Sequence, residues 1–399
     1  MSIRIIIEII DLLLWIIIAG NVFYVLFFAL ASLLPKKKKT LPSSISHQPS
    51  FLVLFPAYHE DAVIIHSIES FLHQDYPKEL YHVAVISDNM SDETNQHLAS
   101  LPITLLCPNF EKSSKAKALR HAISSISQHT SSTYDYVVVL DADNIVASNF
   151  LTQLSTIAHP SMAIQCHRTA KNADNDIAAL DGLSEEINNS IFRKGHNRIG
   201  MSSALIGSGM CFDYHWFCAN VSKLDSAVED RELEALLMMQ GVHIHYAEEI
   251  LVMDEKVSSS DNFQRQRLRW MTGQVQAFLK MLPSLPKAII TGNINYVDKS
   301  IQQALIPRSI LLVLTPILCI IATLTSSIYH LPSTIFHLKW WIVFALFISS
   351  LYIAIPSQMR TKIILKKAIV LPRLVWRMMT NILHIRPNNK EFIHTTHLQ

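Results

Sequence analysis

Three charged clusters in this 399-residue chain have residue types and spacings that could do chemistry. Asp141-Ala142-Asp143 directly follows the apolar run YVVVL. Two carboxylates two residues apart, where a buried strand frays into a loop, can both turn toward one hard cation. Mg²⁺ and Mn²⁺ take such oxygen ligands and share them with substrate phosphates. A solvated strand end would carry the same acids. Glu229-Asp230 precedes a run of good helix formers, Arg231 to Gln240. Acids stabilise a helix N-terminus, and a carboxylate placed there can also act as a general base. The third cluster is Gln264-Arg265-Gln266-Arg267-Leu268-Arg269-Trp270. It suits an arginine fork for phosphate beside a tryptophan that stacks on a flat ligand. It equally suits an amphipathic helix on lipid, with Phe263, Trp270, Phe278 and Leu279 dipping in.

The elements that must position these groups read as alternating strands and helices. Residues 40–50 (TLPSSISHQPS) are rich in Pro and Ser and form a linker. FLVLF (51–55) is a continuous apolar run, as expected of a strand buried on both faces of a parallel sheet. A helical pattern follows over 62–74, then strands at 82–86 and 101–107, a helix over 115–127, and the strand YVVVL at 136–140. This alternation predicts an α/β sheet, in which ligands bind beyond the carboxyl ends of the strands. Asp88, Asp141 and Asp143 fall at such ends. There is no GxxxxGK[ST] and no GxGxxG; Gly207-Ser208-Gly209 is a bare GxG.

Composition bounds the setting. Half of the residues are hydrophobic, only 17% are charged, and the mean hydropathy is +0.25. Soluble domains carry about 25% charge, so the chain is neither disordered nor collagen-like, and it is not expected to be wholly soluble. A net charge of +2 gives no reason to expect a nucleic-acid partner. The five cysteines form no CxxC pair and read as buried thiols in a reducing compartment. The 19 histidines include no HExxH. Leu12–Leu34 is 23 residues without a charge, long enough to cross a bilayer, and too long for a signal peptide. Lys36 to Lys39 follow it, which marks the cytoplasmic side. Ile310–Tyr329 and Trp340–Pro356 are further uncharged stretches, and a basic tail follows them. Three crossings place that tail and the lysine run on one side. A buried helical hairpin is the competing reading of the last two stretches.

Together these pieces resemble the family 2 glycosyltransferases, in particular the membrane-bound cellulose-synthase-like and chitin/hyaluronan-synthase-like branch. The similarity runs in order from Phe51 to Met271. Pro56-Ala57-Tyr58-His59-Glu60 resembles the P-x-Y-N-E opening, and Asp88-Asn89-Met90-Ser91-Asp92-Glu93-Thr94 resembles the D-N-x-S-D-x-T loop. Ser114 to Leu119 is similar to G-K-G-x-A-L. Asp141-Ala142-Asp143 matches DxD, Gly207 to Met210 resembles G-T/S-G-M, Glu229-Asp230 matches E-D, and Gln266-x-x-Arg269-Trp270 matches Q-x-x-R-W. His59 stands where the pattern has Asn, Ser87 replaces a frequent acid, and Ala116 replaces a glycine.

The resemblance implies a GT-A (Rossmann-like) nucleotide-sugar-binding domain inserted between transmembrane helices. The expected organisation is a first span over 1–35, a linker over 36–50, the catalytic domain over 51–275, an interfacial amphipathic segment over 276–309, two spans over 310–356, and a basic cytosolic tail over 357–399. Pro56, Tyr58, Glu60, Asp88 and Lys115 would bind the nucleotide of a UDP-sugar, with glucose or N-acetylglucosamine as the sugar. Asp143 with Asp141 would hold Mg²⁺ or Mn²⁺ and the diphosphate. Gln266 and Arg269 would meet the pyrophosphate. Gly207, Ser208, Gly209, Glu229 and Trp270 would form the acceptor side, and Asp230 would be the base of an inverting, β-forming transfer. The acceptor would be a growing glycan or a lipid-linked molecule at the cytosolic face of the cell membrane, with membrane lipid and an export machinery as further partners. Two other readings are a non-catalytic, membrane-anchored nucleotide-sugar-binding subunit and a nucleotidyltransferase.

Overall fold

Continuous apolar runs can be buried only where both faces of a sheet are covered. In the computed structural model this covering begins at FLVLF. Phe51, Val53 and Phe55 pack with Phe71 and Phe150 on one face, while Leu52 and Leu54 pack with Leu119 and Phe212 on the other. The structure describes residues 3–36, 48–129, 133–172, 175–226, 228–256, 260–329 and 336–360. Lys37 to Lys39, most of the 40–50 linker and the basic tail from residue 361 lie outside the described residues.

In chain order the strands are β1 (Phe51–Tyr58), β2 (Tyr81–Asp88), β3 (Thr104–Leu106), β4 (Tyr136–Val139), β5 (Ile145–Val146), β6 (Met162–Ala170), β7 (Met210–Asp213) and β8 (His243–Asp254). They form one sheet in the order β3-β2-β1-β4-β7-β6-β8-β5. The first four are parallel, as the alternating pattern predicts. Beyond them β7 runs antiparallel to both β4 and β6, and β8 lies parallel to β6. The architecture is a GT-A-like α/β fold with a curled mixed sheet. The expected strand at 101–107 shortens to three residues. Pro102 has no N–H to donate, and Leu101 and Ile103 turn locally, with the Ile103 N–H donating to the Leu101 carbonyl at 2.8 Å. The expected 62–74 helix is Ile64–Phe71, its last residues closing as turns.

Two helices, Arg4–Ala31 and Arg308–Ile328, are long and apolar enough to cross a membrane, and a shorter apolar helix spans Leu338–Ala354. All three pack together through Ile18, Val22, Leu311, Cys319, Trp340 and Phe347. The Trp340 indole donates to Asp11 at 2.7 Å, and Lys339 pairs with the same carboxylate, so the first and third helices begin at one end. The Ile306 N–H donates to Asn21 at 2.7 Å, which starts the middle helix at the opposite end. The 276–309 segment is helical over Leu285–Ile290 and Ile294–Ala304. The second of these buries Asp298, Lys299, Gln302 and Gln303 and turns Ile294 and Ile301 outward.

The amino-terminal helix is clamped onto the α/β domain. His196 stacks on Phe28 with ring centroids 3.5 Å apart. The Tyr24 hydroxyl donates to Asp298 at 2.6 Å and lies 3.0 Å from His196 Nε2. Burial, reinforced by Lys299, pushes His196 down to about 4, so the stacked imidazole is neutral at pH 7. Gly195 allows the approach, because a Cβ there would lie 2.3 Å from the Phe28 carbonyl oxygen. Overpacking of this kind costs about 1–3 kcal/mol. Gly195→Ala is therefore expected to lower the melting temperature of the detergent-purified protein by several degrees. Gly20→Ala, where nothing lies within 4 Å, is expected to leave it unchanged.

Candidate active site

The strand ends deliver the chemistry. Both β1 and β2 leave the sheet through a residue with left-handed backbone, His59 (φ 53°) and Asn89 (φ 57°). Asn and His are among the side chains that tolerate this region best, which accounts for His59 standing where an asparagine is expected. Asp88 ends β2, is buried, and accepts from Asn89 at 3.0 Å. Burial raises it from the ordinary aspartate value. Lys115 opens the helix Lys115–His129. Its ammonium donates to Asp141 and, at 2.6 Å, to the Gly207 carbonyl, and it stands 3.6 Å from Glu229. Burial alone would lower the lysine, but Asp141 and Glu229 outweigh it and hold it charged.

Asp141 and Asp143 leave the end of β4. The Asn144 side chain ties the turn by accepting the Asp141 N–H at 2.9 Å, and the Ser208 hydroxyl donates to the same oxygen. A third acid joins them. Asp254 ends β8, and the pairing of β5 with β8 folds that strand end back beside Asp143. Ligand atoms of Asp141, Asp143 and Asp254 lie within 4.8 Å of one another. Three oxygen donors so close fit a hard divalent cation. Their crowding is visible in Asp143, which burial and then Asp254 and Asp141 raise well above the carboxylate range. Asp254 goes the other way, because Lys256 at 2.7 Å and Arg168 outweigh its burial. Sequence reasoning missed Asp254. Its one local signal, an acid closing an apolar strand, was obscured because β8 carries Glu248 and Glu249 in its middle.

The opposite wall is the loop 199–209 and the helix Glu229–Met239. Gly207 has φ +83°, and a Cβ there would sit 3.7 Å from both the Glu229 and Asp230 carboxylates. Gly209 (φ +63°) approaches Val252 too closely for any side chain. Glu234, one turn along the helix, accepts the Leu205 N–H at 2.8 Å and fixes the loop to the helix that carries the acid pair. Glu229 is buried. Burial first and Asp230 next, against Lys115, bring it up to about 7. The helix starts at Glu229, two residues before the expected Arg231, so both acids lie in its first turn.

All the expected site residues except Ser208 and Gly209 line one cavity of about 510 Å³. Those two stand fully or largely buried behind its wall and hold its shape. Gln266, Arg269 and Trp270 reach it from the helix Ser260–Met281, and Gln266 Oε1 is buried with no protein partner. Between them Arg267 pairs with Asp181 and lies over the Trp270 ring at 4.5 Å and the Phe263 ring at 4.8 Å. Gly273 allows this helix to pack on the residue before the acid pair, for a Cβ there would meet Val228 at 2.2 Å. The cavity does not end at the acids. It continues past Arg193, Leu183 and Ile187 to Val25, Arg308, Leu312 and Leu351 on the three apolar helices.

Two outcomes are expected. Asp254→Asn and Asp143→Asn should each weaken Mn²⁺ binding by at least tenfold, measured by titration of the metal into purified protein. Glu229 binds more protons in the folded state than its ordinary value of 4.5 allows in the unfolded chain. Ionising it therefore costs stability, absent below about pH 4.5 and complete above about pH 7. Glu229→Gln should gain melting temperature relative to the parent at pH 8 and not at pH 4.5.

The geometry can be set beside known proteins. Residues 48–273 match the model described as "Glycosyltransferase like family 2". Two curated relatives are both named beta-monoglucosyldiacylglycerol synthase. The one from Trichormus variabilis is 24% identical over 243 residues, and the one from Nostoc sp. is 23% identical over the same length. Each alignment covers 58% of this chain and 50% of the relative, so the chain spans about half the length of the curated relatives it matches. A mannosyltransferase from Pyrobaculum calidifontis, solved in complex with GDP-Man and Mn²⁺, superposes with a TM-score of 0.54 at 18% identity, covering 86% of this chain and 97% of that one. That likeness bears on the fold. The family model covers more than half of the chain, and with it the whole acid-lined cavity floor from β1 to the arginine helix: the chain belongs to glycosyltransferase family 2 and is a glycosyltransferase.

Proposed function

We propose that the chain transfers a hexose from a UDP-sugar to the hydroxyl of a lipid acceptor at the membrane surface, with inversion and a β-linked product. The observation that carries this reading is the continuity of the cavity from the acid triad to the faces of the apolar helices. A water-soluble acceptor needs no such route, whereas a lipid can present its head to Asp230 while its chains stay among Val25, Leu312 and Leu351. The outward isoleucines of Ile294–Ala304 suit the same setting, with the domain resting on the bilayer and facing the cytosol. The names of the curated relatives make glucose and diacylglycerol the first pair to assay. Gln266, Arg269 and Trp270 on the cavity wall support placing the chain in the synthase-like branch.

The residues divide the work. Glu60 and Asp88 line the cavity where β1 and β2 end, and there the nucleoside would sit, while Lys115 stands between Asp141 and Glu229. Asp141, Asp143 and Asp254 would hold the divalent cation, which when bound offsets charge on the leaving diphosphate. Arg269 and Gln266 close over the diphosphate from the arginine helix. Asp230 takes the acceptor proton as the acceptor oxygen bonds to the anomeric carbon. The bond from that carbon to the phosphate oxygen breaks in the same displacement, and its electron pair leaves with the diphosphate. Attack from the face opposite the leaving group inverts the centre. A general base contributes about 10²–10⁴-fold.

The test is the purified full chain in nanodiscs with dioleoylglycerol and radiolabelled UDP-glucose or UDP-N-acetylglucosamine. A labelled lipid released by the matching β-glycosidase is expected. Asp230→Asn should cut turnover by about 10²-fold or more while UDP binding stays within threefold of the parent. A water-soluble glycan ladder, or donor turnover that never labels lipid, would overturn the reading.

A further inference from the structure

We propose that the membrane end of the cavity is a phosphate site, which binds the phosphate of a lipid headgroup. The proposal rests on the reading of the acceptor as a lipid. The apolar helix Arg308–Ile328 turns Arg308, Ser309 and, one turn further, Leu312 into the cavity. The Arg308 guanidinium is oriented by neutral oxygens alone, donating to Asn188 Oδ1 at 2.6 Å and the Ser184 carbonyl at 3.2 Å. Among the described residues no carboxylate lies within ion-pair distance of it. A charged side chain at the head of so apolar a helix is costly unless its charge is balanced, and among the described residues it has neutral oxygens but no counter-charge.

The neighbouring cations are short of counter-ions too. Arg193 is 3% exposed and lines the same cavity, and its Nε–H has no partner. It shares Glu185 with Arg168, at 3.2 and 3.1 Å. The Arg267 Nε–H is likewise buried and without a partner, although its other edge pairs with Asp181. Three guanidiniums thus face two carboxylates, one of them shared with a fourth, around a space that opens onto Leu312 and Leu351. Guanidiniums in a fork geometry select phosphate over a neutral hydroxyl. The apolar wall just beyond them sets that phosphate at the head of acyl or prenyl chains.

Dodecyl phosphate and dodecanol, which differ in that one group, probe the site directly. Calorimetric titration into the detergent-purified full chain should show dodecyl phosphate binding at least tenfold tighter than dodecanol. Arg308→Gln should abolish the difference, Arg308→Lys should keep part of it, and UDP binding should be unchanged in both variants. Equal binding of the two probes, or a preference that survives Arg308→Gln, would overturn the proposal. Nanodiscs containing dioleoylphosphatidylglycerol and dioleoylglycerol identify the source of the phosphate. Label on the phosphatidylglycerol makes it the acceptor's own. Stimulated transfer to dioleoylglycerol, lost in Arg308→Gln, makes it that of an adjacent phospholipid. Transfer to dioleoylglycerol that ignores both phosphatidylglycerol and Arg308 overturns the phosphate site and leaves the lipid acceptor standing. Absence of any labelled lipid overturns both.

Discussion

The ammonium of Lys115 holds the candidate site together. It starts a helix packed on the parallel half of the sheet, yet its contacts are with Asp141, the Gly207 carbonyl and Glu229, on three other segments. Without a cation there, the Asp141, Glu229 and Asp230 carboxylates would face one another in a poorly solvated space, where like charges repel strongly. Gly207 belongs to the same constraint. Its backbone is left-handed, and any side chain would project at the two acids of the Glu229–Met239 helix. The lysine therefore sets the distance between the Asp141 side and the Glu229 side of the cavity.

A second set of contacts decides where the far end of the cavity faces. Gly195 and His196 bring the amino-terminal helix against the domain. Tyr24 ties that helix to Asp298, beside the fully buried Lys299. The apolar helices thus form one wall of the cavity. Polarity falls along its length, from carboxylates and Lys115, through guanidiniums, to valine and leucine. A ligand with a sugar or phosphate head and a hydrocarbon tail matches that gradient end to end.

Much of this was legible in the linear sequence. FLVLF and YVVVL suit buried strands, because they are short, rich in β-branched and aromatic residues, and have no amphipathic pattern to give them a wet face. The acids after them had to lie at carboxyl ends. The ordered motifs from Pro56 to Trp270 pointed to the family, and uncharged stretches of bilayer length marked the apolar helices. The antiparallel half of the sheet was less legible. β6 and β8 mix apolar residues with charged ones such as the buried Arg168 and the half-buried Asp254, so their periodicity is broken by the site they build.

The sequence by itself determined the parallel half of the fold, the clustering of acids at its strand ends, and the apolar helices, because each depends on local pattern and burial. Only the tertiary structure decided which charges meet. Asp254 reaches Asp143 across 111 positions of chain through the β5–β8 pairing. Arg308 meets Asn188 across 120 positions. The expected interfacial amphipathic segment gave no hint of what its polar face would meet: on Ile294–Ala304 that face turns inward, where Asp298 and Lys299 find partners in the domain. Pairing energies between side chains far apart in sequence leave no periodic trace along the chain, so the cavity's route from the acid triad to the apolar helices was not readable until the chain had folded.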